Sequence, residues 1–261
     1  MPKNKKEKII VVLGPTAAGK SALAVYMAKN FNGEIISADS RQIYKGLDIA
    51  SNKITSQEKQ GIPHHLLDIV KPDQDYSLYN WQKDAFIKIK KILKKKPARP
   101  HEHRSGAGGK LPIIAGGTGL YICSILQNYD LNPQAPKLRP CPYDFIIFGL
   151  APDRAKLYHK INQRVDRMLQ DGSIAEVKKI YKKYPDKKLV SLSGIGYRQI
   201  IEYLDKKISL PEAIEKIKRD SRHYAKRQMT WFRRMEKQGL KIHWNKNKAQ
   251  VKKLLKNFLS K

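Results

Sequence analysis

The sequence has 261 residues, 41% of them hydrophobic, which is enough for one compact α/β domain with an appendage. Its 53 lysines and arginines against 23 aspartates and glutamates give a net charge of +30, which favours a nucleic acid as partner. Two cysteines, Cys123 and Cys141, exclude a disulfide framework and favour a reducing compartment. The first apolar run, IIVVLG, is too short for a signal sequence or a membrane span, so we expect a cytoplasmic protein without a membrane segment.

Short β-branched segments alternate with helical patterns along the chain. This alternation is typical of a doubly wound parallel sheet, in which ligands bind beyond the carboxyl ends of the strands. We predict strands at 8–14, 33–38, 111–116, 144–150 and 240–244, and helices at 20–30, 77–95, 119–127, 153–183, 195–205 and 209–237.

The segment between the first strand and the first helix matches the phosphate-binding pattern G-x-x-x-x-G-K-[ST]. Glycines let backbone N–H groups close around phosphate oxygens, and the helix N-terminus adds a positive dipole. Lys20 is expected to reach the terminal phosphates and Ser21 to bind Mg²⁺. The pattern predicts a diphosphate site without specifying the organic group attached. Its residues are Gly14, Pro15, Thr16, Ala17, Ala18, Gly19, Lys20 and Ser21.

An acidic residue, Asp39, follows the second predicted strand, at the sheet edge where the phosphate loop lies. Its carboxylate is expected to bind Mg²⁺, to cap a helix or to act as a general base. The third strand runs into IIAGGTGLY and has no acid at its tip, which weakens the hypothesis of a P-loop kinase. The glycines around Thr118 indicate a backbone that approaches a ligand closely.

Two further segments are basic or rich in histidine. Residues 94–110 combine lysine, proline and glycine and are predicted to form a flexible basic loop. His64 and His65 point to opposite sides of an extended chain, so a shared metal is not expected, and we assign them to packing and hydrogen bonding near the site.

A long helix is predicted from Ser209, which forms a capping box with Glu212, while Pro211 suits the first turn. One face carries mainly apolar residues and the others are basic. A solvated surface would explain the basic residues, but the net charge favours a phosphate-binding face.

Seven motifs in this order resemble the tRNA dimethylallyltransferases, also called tRNA isopentenyltransferases. The resemblance extends over most of residues 8–244, and the lack of a C-terminal Cys/His module makes the chain similar to the bacterial form. The motifs are GPTAAGKS, DSRQIYKGLDI, GIPHHLLDI, IAGGTGLY, QRVDRML, GIGYRQ and YAKRQMTWFRR.

The resemblance implies a P-loop NTPase-like fold and a specific reaction. A dimethylallyl group moves from dimethylallyl diphosphate to N6 of the adenosine 3′-adjacent to the anticodon, position 37, and pyrophosphate leaves. Asp39, the acid at a strand tip near the loop, is then the expected base, and Mg²⁺ the expected cofactor. By resemblance, Thr16 and Arg164 join it at the diphosphate. The implied tRNA contacts are Asp39, Ser40, Arg41, Gln42, Thr118, Arg198, Lys226, Arg227, Gln228, Trp231 and Arg233.

The sequence departs from this family at one place. Family members carry a helical insertion that helps to clasp the anticodon stem, whereas here Pro133 leads almost directly into the fourth strand. We therefore predict one P-loop domain over 1–261, with 128–143 as the remnant of the insertion, acting as a monomer on the tRNA anticodon stem-loop. A reduced enzyme is the favoured interpretation. A small-molecule or nucleotide P-loop kinase and a non-catalytic tRNA-binding derivative of the transferase are the alternatives.

Overall fold

In a computed structural model, which describes residues 6–95, 109–131, 140–186 and 188–261, the chain forms a parallel α/β sheet. The described residues contribute six strands in the order β3-β2-β4-β1-β5-β6. The first strand lies inside the sheet, between β4 and β5. The strands are β1 (Lys8–Leu13), β2 (Gly33–Ala38), β3 (His64–His65), β4 (Leu111–Gly116), β5 (Asp144–Gly149) and β6 (Ile242–Trp244).

Helices cover both faces of the sheet and build a separate cluster beside it. Two helices, α1 and α9, pack on one face, and α3, α4 and the end of α8 pack on the other. The remaining long helices pack with the start of α8 and with residues of the chain after β2. The helices are α1 (Lys20–Asn30), α2 (Ser56–Lys59), α3 (Leu78–Leu93), α4 (Gly119–Leu126), α5 (Arg154–Gln170), α6 (Ser173–Lys183), α7 (Tyr197–Leu204), α8 (Leu210–Lys237) and α9 (Lys248–Ser260).

The predicted fold class and the five predicted strands are confirmed, with ends that differ by one or two residues. The single helix predicted over 153–183 is wrong. Gly172 adopts a left-handed conformation, with φ of 95°, and separates α5 from α6. The sequence reasoning also missed β3, which has only two residues, and α9, whose Val251 and Leu255 are fully buried against the sheet.

Helix α8 connects the sheet with the helical cluster. The predicted capping box of Ser209 and Glu212 is present. Its 28 residues extend over about 42 Å. Ile217 packs among the helices, whereas Phe232 and Met235 lie in the core on the sheet. One rigid element therefore fixes the two parts of the molecule relative to each other.

Most of the predicted flexible loop at 94–110 and half of the predicted remnant at 128–143 lie outside the described residues. No helix in the described ranges is both long and apolar enough to cross a membrane.

A buried carboxylate, Glu34, holds together three parts of the chain at the start of β2. His65 and Lys95 each approach it to 2.7 Å, and Lys110 to 3.1 Å. Lys95 and Lys110 border the undescribed segment 96–108 on its two sides. Burial opposes the ionisation of Glu34, but the bonds from Lys95, His65 and Lys110 outweigh it and lower its pKa from 4.5 to about 2.

This lowered pKa predicts a pH-dependent contribution to stability. The contribution is complete above about pH 5, where the unfolded chain is ionised, and is lost as the pH falls toward 2. Glu34→Gln should lower the free energy of unfolding by about 2 kcal/mol at pH 7, since Lys95 is half exposed and water screens part of the interaction. Urea unfolding at pH 7, 5 and 3.5 measures the difference, with the exposed Glu215→Gln as control. A difference that does not shrink at low pH would contradict the prediction.

Candidate active site

The phosphate loop connects the end of β1 with the start of α1. Gly14 has a φ of 154°, and a Cβ there would lie 2.7 Å from the carbonyl oxygen of Leu150, so only glycine fits. Gly19 and Ala17 adopt left-handed conformations with φ of 91° and 61°. The turn places the N-terminus of α1 behind the loop, where its N–H groups and dipole favour an anion.

Lys20 is the cation of this loop. Its Nζ donates a hydrogen bond of 2.7 Å to the carbonyl oxygen of Pro15. Burial lowers the pKa of Lys20 from 10.5 to about 8, although the charge of Asp39 opposes the shift. Burial thus disfavours the charged form of Lys20, and an anionic ligand bound beside it would stabilise that form.

Two cavities meet at the carboxyl edge of the sheet. The loop cavity, of about 630 Å³, is lined by Lys20 and Ser21 among others. The helix cavity, of about 510 Å³, is lined by Arg198 and Arg227 among others. Because the same side chains line both, the cavities adjoin. The shared residues are Thr16, Asp39, Asn52, Arg164, Met168 and Tyr224.

Asp39 lies at this junction, directly after β2. Its Oδ1 accepts a hydrogen bond of 2.9 Å from the backbone N–H of Arg41, which fixes the carboxylate at the start of the turn. Asp39 begins no helix, so a role as helix cap is not supported. Three other carboxylates line the loop cavity alone: those of Asp48, Glu58 and Asp171.

Arg164 reaches the phosphate loop from α5. Its Nη1 donates a hydrogen bond of 2.8 Å to Oγ1 of Thr16, and its Nε donates to the side-chain oxygen of Asn52. Burial lowers the pKa of Arg164 from 12.5 to about 10, with Asp39 opposing the shift, so the guanidinium stays charged at neutral pH. The sequence reasoning did not identify Asn52, which lies in a segment without a recognised motif for this role.

The polar rim beside Asp39 includes Thr118 and Tyr224. Oγ1 of Thr118 accepts a hydrogen bond of 3.1 Å from the backbone N–H of Ser40. Burial and the charge of Asp39 raise the pKa of the Tyr224 hydroxyl to about 12, so it stays protonated at neutral pH. The hydrogen bond between Ser40 and Thr118 joins the tips of β2 and β4.

Most of the predicted tRNA residues lie on exposed or partly exposed surface around the helix cavity and along α8. Nη2 of Arg198 lies 3.1 Å from Oδ2 of Asp220. The side-chain nitrogen of Gln42 donates a hydrogen bond of 3.0 Å to the carbonyl oxygen of Asn52. Trp231 is 36% exposed and covers Gly119, where a Cβ would lie 2.2 Å from its ring. The others on this surface are Ser40, Arg41, Thr118, Lys226, Arg227 and Arg233.

Gln228 is buried rather than on the exposed face, and His64 and His65 make hydrogen bonds, as predicted, but away from both cavities. Gln228 is only 6% exposed, and the protein itself uses its amide group, so it is not part of the exposed face. His64 and His65 line neither cavity. His65 bonds to Glu34 and His64 to the carbonyl of Ile62, because β3 pairs with the middle of β2 rather than with its tip.

The fold and the site define a P-loop α/β protein in which the cavity at the phosphate loop adjoins a second cavity lined by helices. A model of the family described as IPP transferase matches residues 42–140 and 131–235, and one described as isopentenyl transferase matches residues 7–71. The chain therefore belongs to the IPP transferase family.

Named proteins of this family resemble the chain over nearly its full length. The tRNA dimethylallyltransferase of Pelotomaculum thermopropionicum is 36% identical over 93% of this chain and 92% of its own. The tRNA isopentenylpyrophosphate transferase of Bacillus halodurans superposes with a TM-score of 0.83 at 32% identity, over 98% of this chain and 96% of that one. A eukaryotic dimethylallyltransferase, solved acting on tRNA, gives a TM-score of 0.75 at 25% identity, over 94% of this chain and 75% of that one.

The chain is shorter than its relatives. The alignment with the Pelotomaculum protein runs over 305 positions, more than the 261 residues of this chain, so that relative has residues without a counterpart here. The two segments matched by the IPP transferase model meet at residues 131–140, the region where the sequence predicts a reduced insertion.

The lowered pKa of Lys20 predicts how diphosphate binding depends on pH. The protonated amine binds the anion, so affinity should be constant below about pH 7.5 and fall as the pH rises through 8, by up to about tenfold per unit. Calorimetric titration with dimethylallyl thiolodiphosphate between pH 7 and 9.5 measures this.

Lys20→Arg is the matched control, because a guanidinium keeps its charge over this range. Its profile should be flat between pH 7 and 9.5. A flat profile for the wild type as well would show that Lys20 does not titrate on binding.

Proposed function

We propose that this chain transfers the dimethylallyl group of dimethylallyl diphosphate to N6 of the adenosine 3′-adjacent to the anticodon, position 37, of a tRNA, and releases pyrophosphate. The observation that carries the proposal is the position of Asp39 at the junction of the two cavities. A base at this junction can contact an acceptor in one cavity while the diphosphate occupies the other. The family membership supports tRNA as the acceptor.

The diphosphate leaves with additional negative charge, which the loop cavity is suited to stabilise. Lys20 and Arg164 supply two partly buried cations, and the hydroxyl of Thr16 lies beside the guanidinium. The backbone N–H groups at the start of α1 add donors. The bond between carbon and the bridging oxygen breaks, and the oxygen keeps the electron pair.

The acceptor amine must lose a proton as it forms its bond to carbon. N6 of adenine is a weak nucleophile because its lone pair is delocalised into the ring. In the proposed reaction Asp39 accepts that proton, and N6 takes the dimethylallyl carbon. Tyr224 stays neutral at this site, so Asp39 is the group at the junction suited to act as base.

Mg²⁺ is the proposed cofactor, and the residues present fit it. Mg²⁺ is usually held by one or two protein oxygens together with substrate phosphates. Ser21, the residue predicted to bind Mg²⁺, lines the loop cavity, where the diphosphate is proposed to bind. Bound there, Mg²⁺ would neutralise charge on the diphosphate.

The anticodon stem-loop is the proposed part of tRNA that binds. Adenosines of a loop are not held in a duplex, so extruding one into the helix cavity costs little. The exposed Lys226, Arg227 and Arg233 of α8 would contact phosphates, and Trp231 offers a surface for stacking. In a monomer with a reduced insertion, this basic surface would provide many of the contacts to tRNA.

The kinase and binding-only alternatives are weaker. β4 ends at Gly116 without a carboxylate, and the matched relatives are named as transferases rather than kinases. A non-catalytic derivative would not need to retain Lys20, Asp39 and Arg164 around one pair of cavities.

A product assay tests the function. The protein is incubated with Mg²⁺ and unmodified tRNA that has adenosine beside its anticodon, with either dimethylallyl diphosphate or ATP. The digested nucleosides are then analysed by mass spectrometry. We expect a prenylated adenosine at position 37 with the isoprenoid only. Filter-retained tRNA without a mass gain would support a binding protein, and ATP consumption that depends on a small acceptor would support a kinase.

The proposed base predicts a specific kinetic defect. Asp39→Asn removes the proton acceptor but keeps the shape, so turnover should fall by about 10²–10⁴ while tRNA affinity changes much less. Asp171→Asn is the matched control, since this carboxylate lines the loop cavity but not the helix cavity. Single-turnover rates and filter binding give the two quantities. Near wild-type turnover of Asp39→Asn would exclude Asp39 as the base.

A further inference from the structure

A glutamine of the long helix is bonded to the phosphate loop. The side-chain oxygen of Gln228 accepts a hydrogen bond of 2.8 Å from the backbone N–H of Thr16. Its side-chain nitrogen donates one of 2.9 Å to the carbonyl oxygen of Gly117. Gln228 is 6% exposed, so these bonds replace water for a buried amide. One side chain of α8 therefore links the tips of β1 and β4.

The fit around this amide is close. A Cβ at Gly117 would lie 2.2 Å from the side-chain nitrogen of Gln228, far inside contact distance. Gly117 is thus the residue that leaves space for the glutamine. Its φ lies outside the left-handed region, so an alanine there would displace the amide without straining the backbone.

Thr16 is held from two sides by two different helices. Arg164 of α5 bonds to its side chain, and Gln228 of α8 bonds to its backbone. Gln228 itself is fixed, because Phe232 and Met235 lie one and two turns further along α8 in the core of the sheet. The position of Thr16 in the phosphate loop therefore depends on α8.

We propose that Gln228 is a positioning residue that holds the diphosphate-binding loop in place from the helix proposed to contact tRNA. Its amide orients the backbone of Thr16, so that the Thr16 hydroxyl and Arg164 face the diphosphate together. Gln228 also lines the loop cavity, but its amide oxygen and nitrogen both bond to the protein, so it acts on donor affinity through the backbone of Thr16. This inference rests on the proposed function for the identity of the donor, but not for the geometry of the loop.

Gln228→Met tests the proposal, because methionine has a similar volume and makes neither hydrogen bond. We expect the dissociation constant for dimethylallyl thiolodiphosphate, measured by calorimetry with Mg²⁺, to rise about tenfold. The Michaelis constant for dimethylallyl diphosphate should rise in parallel. The dissociation constant for tRNA should change less than about threefold, since the exposed cations of α8 are untouched.

Gln82→Met is the matched control. Gln82 is also 6% exposed, and its amide nitrogen donates hydrogen bonds of 2.8 Å to the carbonyl oxygens of Ser124 and Tyr129, far from the loop in sequence and lining neither cavity. Gln82→Met should lower the melting temperature about as much as Gln228→Met does, but leave donor affinity unchanged. The comparison separates a positioning role from a loss of stability.

Gly117→Ala provides a second route to the same defect. The added methyl group should push the amide of Gln228 away from the loop and weaken donor binding by a similar factor. In the double variant Gly117→Ala/Gln228→Met, the two effects should not add, because both remove the same interaction.

The proposal is overturned if Gln228→Met binds the thiolodiphosphate as the wild type does, if Gln82→Met weakens that binding equally, or if the Gly117 and Gln228 effects add. Calorimetry does not require tRNA prenylation. If the protein bound the donor analogue in this Gln228-dependent way without modifying tRNA, the proposed function would fail while the positioning role stood.

Discussion

The parallel pairing of β2, β4 and β1 is the constraint on which the site depends. Parallel strands end at the same edge of a sheet, so the segments that follow them must lie side by side. The phosphate loop after β1, Asp39 after β2 and Thr118 after β4 are therefore neighbours, although up to about a hundred residues separate them in the chain. The hydrogen bond between Ser40 and Thr118 joins two of these tips directly.

Electrostatics then give this edge its chemical character. Lys20 and Arg164 are both partly buried, this burial lowers the pKa of each, and the charge of Asp39 partly compensates for both shifts. The five lysines and arginines that line the loop cavity outnumber its four carboxylates, which leaves an excess of positive charge beside the N-terminus of α1. A diphosphate neutralises this excess, which connects the geometry of the loop with the proposed leaving group.

The second functional element is the long helix α8, which does two tasks at once. Its exposed residues form the basic surface proposed for tRNA, while Gln228 on its buried side bonds to the phosphate loop. A helix anchored in the core of the sheet at one end and in the helical cluster at the other can hold both sets of groups in fixed relation. In a chain shorter than its relatives, the proposed grip on tRNA relies on such rigid elements.

The sequence alone determined the fold class, the phosphate loop, Asp39 and the start of α8, because each of these is encoded locally by strand composition, glycine spacing or capping residues. Only the tertiary structure decided the remainder. Three hydrogen bonds show this: Arg164 to Asn52, the buried Gln228 to Gly117, and His65 to Glu34. They join residues that are 112, 111 and 31 positions apart in the chain. No local pattern encodes such contacts, since they depend on which helix faces cross the carboxyl edge of the sheet and on where a two-residue strand pairs.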